Sequence, residues 1–261
     1  MLFRSTTDTD FDGDLDRLHA TRDEVDYLLG EARKSLPDPR VCREEVVYTY
    51  AGVRPLSYEE GTSASKVSRA HRIVEEEGGR FLSITGTKLT CFRSLAEELG
   101  DRVSKALGRP RRSLTAQRTL DGVDEAVGQV EARAWLDVSG EMAATGLDRR
   151  TLHTLVTTYG RVYPRVVELA GKVPGGTERL CPHNADIVAE LHHAVQEELT
   201  VSLEDFLLRR TGIGTSRCQG EDCADAIGRR MATLLGWSGR RLDAELEAYH
   251  THVERSRRAL G

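Results

Sequence analysis

No stretch of this chain approaches the ~18 consecutive apolar residues of a membrane-spanning helix. The opening "MLFRSTTDTDFDGD" lacks the apolar segment of a secretory signal and turns acidic after its first few residues. A positive excess is missing too: the net charge is -5, which argues against a general nucleic-acid binder. Aromatics are sparse, at 5% of 261 residues. Cysteines number five, an odd count in a long chain without an export signal, and this points to a reducing cytoplasm. Lysine is the scarce cation, with five among the 37 basic residues. Each lysine is therefore worth placing.

What is present is a soluble composition, 30% charged and 39% hydrophobic, of a length for one large or two ordinary domains. "TRDEVDYLLGEARKSL" opens with the capping box Thr21/Glu24 and repeats apolar residues at Val25, Leu28, Leu29 and Ala32, which predicts an amphipathic helix. "EEVVYTYAGVRPL" reads as a strand over Glu45–Tyr50, closed by Gly52 and Pro55. "HRIVEEEGGRFLSIT" reads as two strands joined at Gly78-Gly79. Periodicity weakens from Gly108 to Gly146, where "GRPRRS" suits a linker. The expected division is therefore a mixed α and β region, residues 1–145, and an α-helical domain, residues 146–261.

The second half carries its own punctuation. "DRRTLHTLVTTYG" runs from Asp148 as N-cap to Gly160 as stop. "YPRVVELAG" has Pro164 near a helix start, and "NADIVAELHHAVQEELT" is expected to begin at Asn184 with one apolar face. "SLEDFLLRRTG" is capped by Ser202 and ended by Gly212, with two further helices to follow. His192, His193, His250 and His252 are expected to be solvated or boundary residues of these helices. "GIGTSR" (Gly212–Arg217) fails as a dinucleotide fingerprint, because it follows a helix and has Arg217 where the third glycine belongs. A helix-turn-helix over the last sixty residues is also set aside, since Arg and acidic residues there nearly balance.

One junction stands out: "RFLSITGTKLTCFRSLAEEL" passes from an apolar strand through Gly86 directly into a helical pattern, with Lys88 in the crossing. Such a junction can present N–H groups and a positive dipole end to an anion. It can equally be a tight turn with a solvated lysine.

"VVYTYAGVRPLSYEEG", followed by "FLSITGTKLTCFRSLAEE", resembles the FAD-dependent glycerol-3-phosphate dehydrogenase family, whose members show GVRPL and a turn of the form GGKLTTYR. "TTDTDFDGDLD" and "LEDFLLRRTGIG" resemble that family as well. The fold class so implied is α+β: the return half of a flavin-binding and substrate domain followed by an all-α C-terminal domain. The activity implied is oxidation of sn-glycerol 3-phosphate to dihydroxyacetone phosphate, with electrons passed to a quinone-type acceptor. FAD is the implied cofactor. Arg54 would hold the substrate phosphate, since a guanidinium fork suits a phosphate dianion. Lys88 would serve substrate and catalysis by supporting negative charge on the flavin. Gly86, Thr87, Lys88, Leu89 and Thr90 would form the cofactor-binding turn. Thr87 departs from the family's second glycine, and a β-branched residue there keeps the turn right-handed or extended.

The family's N-terminal GxGxxG half has no counterpart in this sequence. That half is therefore an expected partner, and the chain alone is expected to be inactive. The localisation expected is cytoplasmic, with peripheral membrane association. A catalytically inactive interaction or regulatory protein is the alternative.

A last group lies outside that resemblance. Cys218 and Cys223 form a C-x4-C pair, and Cys181 with His183 a C-x-H pair 34 residues upstream. The arrangement resembles small helical iron–sulfur modules, with His183 in place of a cysteine. Three thiolates and an imidazole suit zinc or a two-iron cluster. Free thiols, a redox pair or a helix-capping His183 are the plainer alternatives.

Overall fold

The computed structural model describes residues 11–36, 38, 40–53, 70–86, 88–118, 142 and 144–261. The chain divides into two compact units, one of residues 1–18 and 51–119, the other of residues 19–50 and 120–261.

The first unit is built on a hairpin. Strands β1 (Arg72–Glu76) and β2 (Phe81–Thr85) pair antiparallel, with Ile73 opposite Ile84 and Glu76 opposite Phe81. The reversal uses Glu77, Gly78 and Gly79, all at positive φ, and Gly78-Gly79 supplies the freedom such a turn demands. This is the predicted junction of two strands. Helix α2 (Phe92–Ala106) follows β2 and is tied to the hairpin by charge. Arg102 reaches Glu75 at 3.0 Å and Glu98 at 2.8 Å, and His71 reaches Glu98 at 2.9 Å. Leu95 is the one buried apolar side chain among the described residues of this unit.

The second unit is helical. Helix α1 (Arg22–Ser35) has the predicted capping box, Thr21 accepting from Glu24 N while Glu24 accepts from Thr21 N. Helices α3 (Arg149–Tyr159) and α4 (Tyr163–Lys172) follow the expected caps, with Asp148 accepting from Thr151 N at 2.9 Å and Pro164 in the first turn of α4. Helix α5 (Val188–Gln196) starts four residues after Asn184, because the intervening loop forms an antiparallel bridge, Arg179 to Ile187. Glu190 then accepts from Ile187 N at 2.7 Å, closing the first turn. Short α6 (Leu203–Asp205), capped by Ser202, passes into a π turn over Phe206–Arg210. Helices α7 (Ala224–Leu235), ended by left-handed Gly236, and α8 (Gly239–Arg257) complete the unit.

Two apolar clusters meet on α5. Val188, Leu191 and Ala194 pack with Leu203, Phe206, Leu207, Ile227, Met231 and Tyr249. Ile187 and Ala189 pack with Leu152, Leu155, Tyr159 and Val166. A helix covered on two sides keeps little solvent face, here His192 and Gln196, so Glu190 and His193 go inside with it. The expectation that His193 is a solvated or boundary residue is thereby corrected: it is buried, its ring edge-on to Tyr159 at 5.2 Å.

The expected strand over Glu45–Tyr50 is a second correction. Glu45 ends a 3-10 turn, and residues 46–50 join no sheet. Their β-branched, aromatic composition still suits extended backbone, but the partner is the helical unit. Val47 O accepts from Gln219 Nε2 at 3.2 Å, Tyr48 Oη meets His252 Nε2 at 3.2 Å, and Thr49 Oγ1 donates to Ser256 O. Residues 19–50 thus belong with the helices, whereas the sequence suggested a single cut near residue 145.

Candidate functional site

At the strand-to-helix junction, Gly86 is buried with φ +68, and a Cβ there would lie 2.9 Å from Ala70 O. Glycine is required on both counts, by backbone sign and by the close passage of the chain entering β1. Lys88 is the extended residue before a 3-10 turn, Leu89–Cys91, that leads straight into α2. Neither Lys88 nor Cys91 caps this start with its side chain. Lys88 and Thr90 are exposed, and Leu89 is 87% exposed.

The junction thus offers helix-start N–H groups without a side-chain cap, an ammonium group and an uncovered apolar side chain in three consecutive residues. That donor set fits the edge of a planar, electron-accepting ring, as in a flavin. Of the residues expected here, Gly86, Lys88, Leu89 and Thr90 are sequence neighbours and lie along the strand-to-helix junction. Arg54 and Thr87 lie outside the described residues.

The cysteine group gives a different result. The Cys181 and Cys218 sulfurs lie 3.7 Å apart, and Asn184 Nδ2 donates to both, at 3.3 and 3.8 Å. Ser216 Oγ lies 3.3 Å from Cys218 Sγ. Burial pushes the Cys181 thiol up, but the hydrogen bonds from Asn184 and its neighbours outweigh burial and leave it below the ordinary thiol value. Burial, with Cys181 beside it, holds the Cys223 thiol well above that value. His183 pairs at the surface with Asp222 at 3.0 Å. Among the described residues no group of three or more His, Cys, Asp or Glu side chains is arranged to hold a metal ion. The expectation of zinc or an iron–sulfur cluster on Cys181, His183, Cys218 and Cys223 is not supported. The loops bring Cys181 and Cys218 together as that expectation required, but the His183 imidazole pairs with Asp222 at the surface and completes no four-ligand cluster with the thiols.

Two buried polar groups escaped the sequence reading. Gln219, 1% exposed and at φ +47, accepts on Oε1 from Arg257 Nε at 2.9 Å and Ser256 Oγ at 3.3 Å. Its carbonyl accepts from Tyr249 Oη at 2.8 Å. Its place between Cys218 and Gly220 in a turn-like run was the only available signal. Glu190 is fully buried, and burial, reinforced by nearby Asp186, pushes its carboxyl up to about 8. Glu190 and Tyr159 lie close enough to influence each other's titration, yet among the described residues Glu190 Oε1 and Tyr159 Oη make no hydrogen bond of ordinary geometry.

Residues 113–242 match the family described as the C-terminal domain of alpha-glycerophosphate oxidase. A glycerol-3-phosphate dehydrogenase of Synechocystis sp. is 31% identical over 255 residues, covering 96% of this chain and 45% of that protein. An aerobic glycerol-3-phosphate dehydrogenase of Staphylococcus aureus is 30% identical over 257 residues, with the same coverage of each. Among solved structures, the glycerol-3-phosphate dehydrogenase of Bacillus halodurans complexed with FAD superposes with a TM-score of 0.79 at 26% identity. That superposition covers 96% of this chain and 48% of the other. The chain thus spans about half the length of the curated relatives it matches.

Proposed function

We propose that this chain, which belongs to the FAD-dependent glycerol-3-phosphate dehydrogenase family and matches its C-terminal portion, supplies the substrate-side wall of a flavin site that oxidises sn-glycerol 3-phosphate. The observation that carries this reading is the junction at Gly86–Cys91, where uncapped N–H groups, Lys88 and exposed Leu89 fall together.

FAD, when bound, supplies the two-electron acceptor for a secondary alcohol. Lys88 would place a positive charge beside the ring's electron-rich edge, where reduction accumulates negative charge. Leu89 would cover apolar ring surface, and the α2 start would add its partial positive charge. Arg54, just beyond the extended segment, would clamp the substrate phosphate with a bidentate pair of hydrogen bonds. The product is dihydroxyacetone phosphate, and the electrons pass on to a quinone-type acceptor, which brings the assembled enzyme to a membrane surface peripherally.

Purification with and without a co-expressed segment bearing the family's GxGxxG half tests this directly. The visible flavin spectrum and oxidation of glycerol 3-phosphate are expected only from the pair. A pair that stays colourless and inactive overturns the reading. Within an active pair, Arg54→Ala should weaken glycerol 3-phosphate far more than glycerol. Loss of a desolvated, charge-assisted contact costs on the order of 2–5 kcal/mol. Unchanged kinetics would remove Arg54 from the site. Lys88→Met keeps the stem and deletes the charge, so the flavin should become harder to reduce. A wild-type potential and rate would leave Lys88 a surface residue.

A further inference from the structure

The meeting of three thiols in the helical unit has no part in the flavin reading and stands apart from it. Cys181 is fully buried in the loop before α5, Cys223 is buried at the N-cap of α7, and Cys218 is the partly exposed member. The Cys181 and Cys218 sulfurs, 3.7 Å apart, share the Asn184 side-chain amide as donor. Donors directed at sulfur favour the thiolate, which is the reactive form. Cys42 and Cys91 are free and lie elsewhere in the sequence.

We propose that Cys181 and Cys218 form a peroxide-responsive dithiol switch, with Cys218 as the sulfur that meets the oxidant and Cys181 as the one that resolves it. The Cys218 thiolate attacks one oxygen of a hydroperoxide. The O–O bond breaks, the sulfur becomes a sulfenic acid, and the leaving oxygen departs as water or alcohol after taking a proton. The Cys181 thiolate then attacks the sulfenic sulfur, the S–O bond breaks, and hydroxide leaves as water with the second proton. Two sulfurs together lose two electrons, which the peroxide gains, and one S–S bond is formed.

The assignment of roles follows from exposure. Cys181 has no contact with solvent and is met by two neighbouring thiols, buried Cys223 and partly exposed Cys218, of which Cys218 is the one open to a small oxidant. Closing 3.7 Å to the ~2.0 Å of a disulfide asks for a modest approach of two loops already held together by Asn184. Asn184 also bonds Ser216, so the amide spans both loops at 3.2 Å. The bond would join the loop preceding α5 to the segment that carries Gln219, and so would fasten the turn on which α8 and residues 46–50 converge.

Stoichiometric hydrogen peroxide, added to the reduced full chain and followed by alkylation, reads the outcome. Free thiols should fall from five to three and return with dithiothreitol. Trypsin with a glutamate-specific protease cuts between Cys218 and Cys223, so mass spectrometry should find Cys181 linked to Cys218. In Cys181→Ser, Cys218 should instead accumulate as a sulfenic acid trapped by dimedone. If that buried substitution prevents folding, Cys218→Ser serves, and Cys181 should then stay reduced under the same dose. A Cys42→Ser/Cys91→Ser double variant should form the same bond. Five alkylatable thiols after peroxide overturn the proposal. So does linkage spread equally over Cys42 and Cys91, or Cys181 oxidised as readily without Cys218.

Discussion

The two units place their apolar side chains in opposite ways. In the helical unit, large residues such as Phe206, Leu191, Ile227 and Met231 are completely buried around α5. In the hairpin unit, Phe81, Ile84, Leu89, Phe92 and Leu107 all remain exposed, and among the described residues Leu95 alone is a fully buried apolar side chain. The hairpin unit instead holds its helix by surface ion pairs through Arg102 and Glu98. Such pairs contribute little in water, typically ~0–1 kcal/mol each, against ~1.5–3 kcal/mol for fully burying one large apolar side chain. The difference teaches that the helical unit draws on apolar burial, whereas the described part of the hairpin unit leaves most of its large apolar side chains in water.

The largest expected effect lies in the helical core. Phe206→Ala should cost about 3–5 kcal/mol by cavity formation in a site that contacts α7 and α8. Urea unfolding followed by circular dichroism reads this, and a loss under 1 kcal/mol would mean that the helical unit is as loosely packed as the hairpin unit.

A pH dependence should follow from Glu190. Its folded pKa of about 8 lies above the ordinary glutamate value of 4.5, so between these values the folded state binds the additional proton. Stability is therefore fullest below about pH 4.5 and declines as pH rises toward 8, with a slope of up to ~1.4 kcal/mol per pH unit from this group. Glu190→Gln keeps an acceptor for Ile187 N and removes the charge, so the decline should flatten. Denaturant midpoints of both proteins from pH 5 to 8 check this, and parallel curves would remove Glu190 as the cause.

Next in size is Gln219→Ala, which removes the bonds to Val47 O and Arg257 Nε, leaves Arg257 its Glu221 partner, and should cost about 1–3 kcal/mol. Hydrogen exchange should rise at residues 46–50 while amides of α5 stay protected. Equal deprotection throughout would show that the segment and the core open as one. The smallest effect is expected at Leu89→Ser. An exposed position away from packing should change stability by less than ~0.5 kcal/mol. A loss above 1 kcal/mol would show that the hairpin unit depends on Leu89 for its own fold.

Much of the fold was legible because its signals are local. Thr21 with Glu24, Asp148 and Ser202 cap where their side chains reach an N–H two or three residues on, and Gly78-Gly79 reverses the hairpin. These interactions are complete within a few residues. The start of α5 was misplaced because the Arg179–Ile187 bridge intervenes, and nothing in "NADI" announces a partner eight residues upstream. The strand expected over Glu45–Tyr50 was half right. Its residues prefer extended backbone, but whether a neighbour is a strand or a helix is decided by the distant chain. The burial of His193 and Glu190 was hidden for the same reason, since one apolar face was visible and the second required knowing what packs on α5. For the candidate site, the strand–glycine–helix sequence gave the position of Lys88 by local grammar alone. The convergence of Cys181 with Cys218 was posed by spacing and answered by tertiary structure.

The clasp at Gln219 also has a history in time. Val47 and Gln219 are separated by 172 residues, and Thr49 and Ser256 by 207. On a ribosome adding 5–20 residues per second, Val47 therefore waits roughly 10–30 s before its partner exists. Throughout that interval Val46, Val47, Tyr48 and Tyr50 form an extended, β-branched and aromatic stretch with nothing to dock on, the kind of segment that nascent-chain chaperones bind. The helices close locally as they emerge, but residues 46–50 are fastened last, after the far end of the chain has been made.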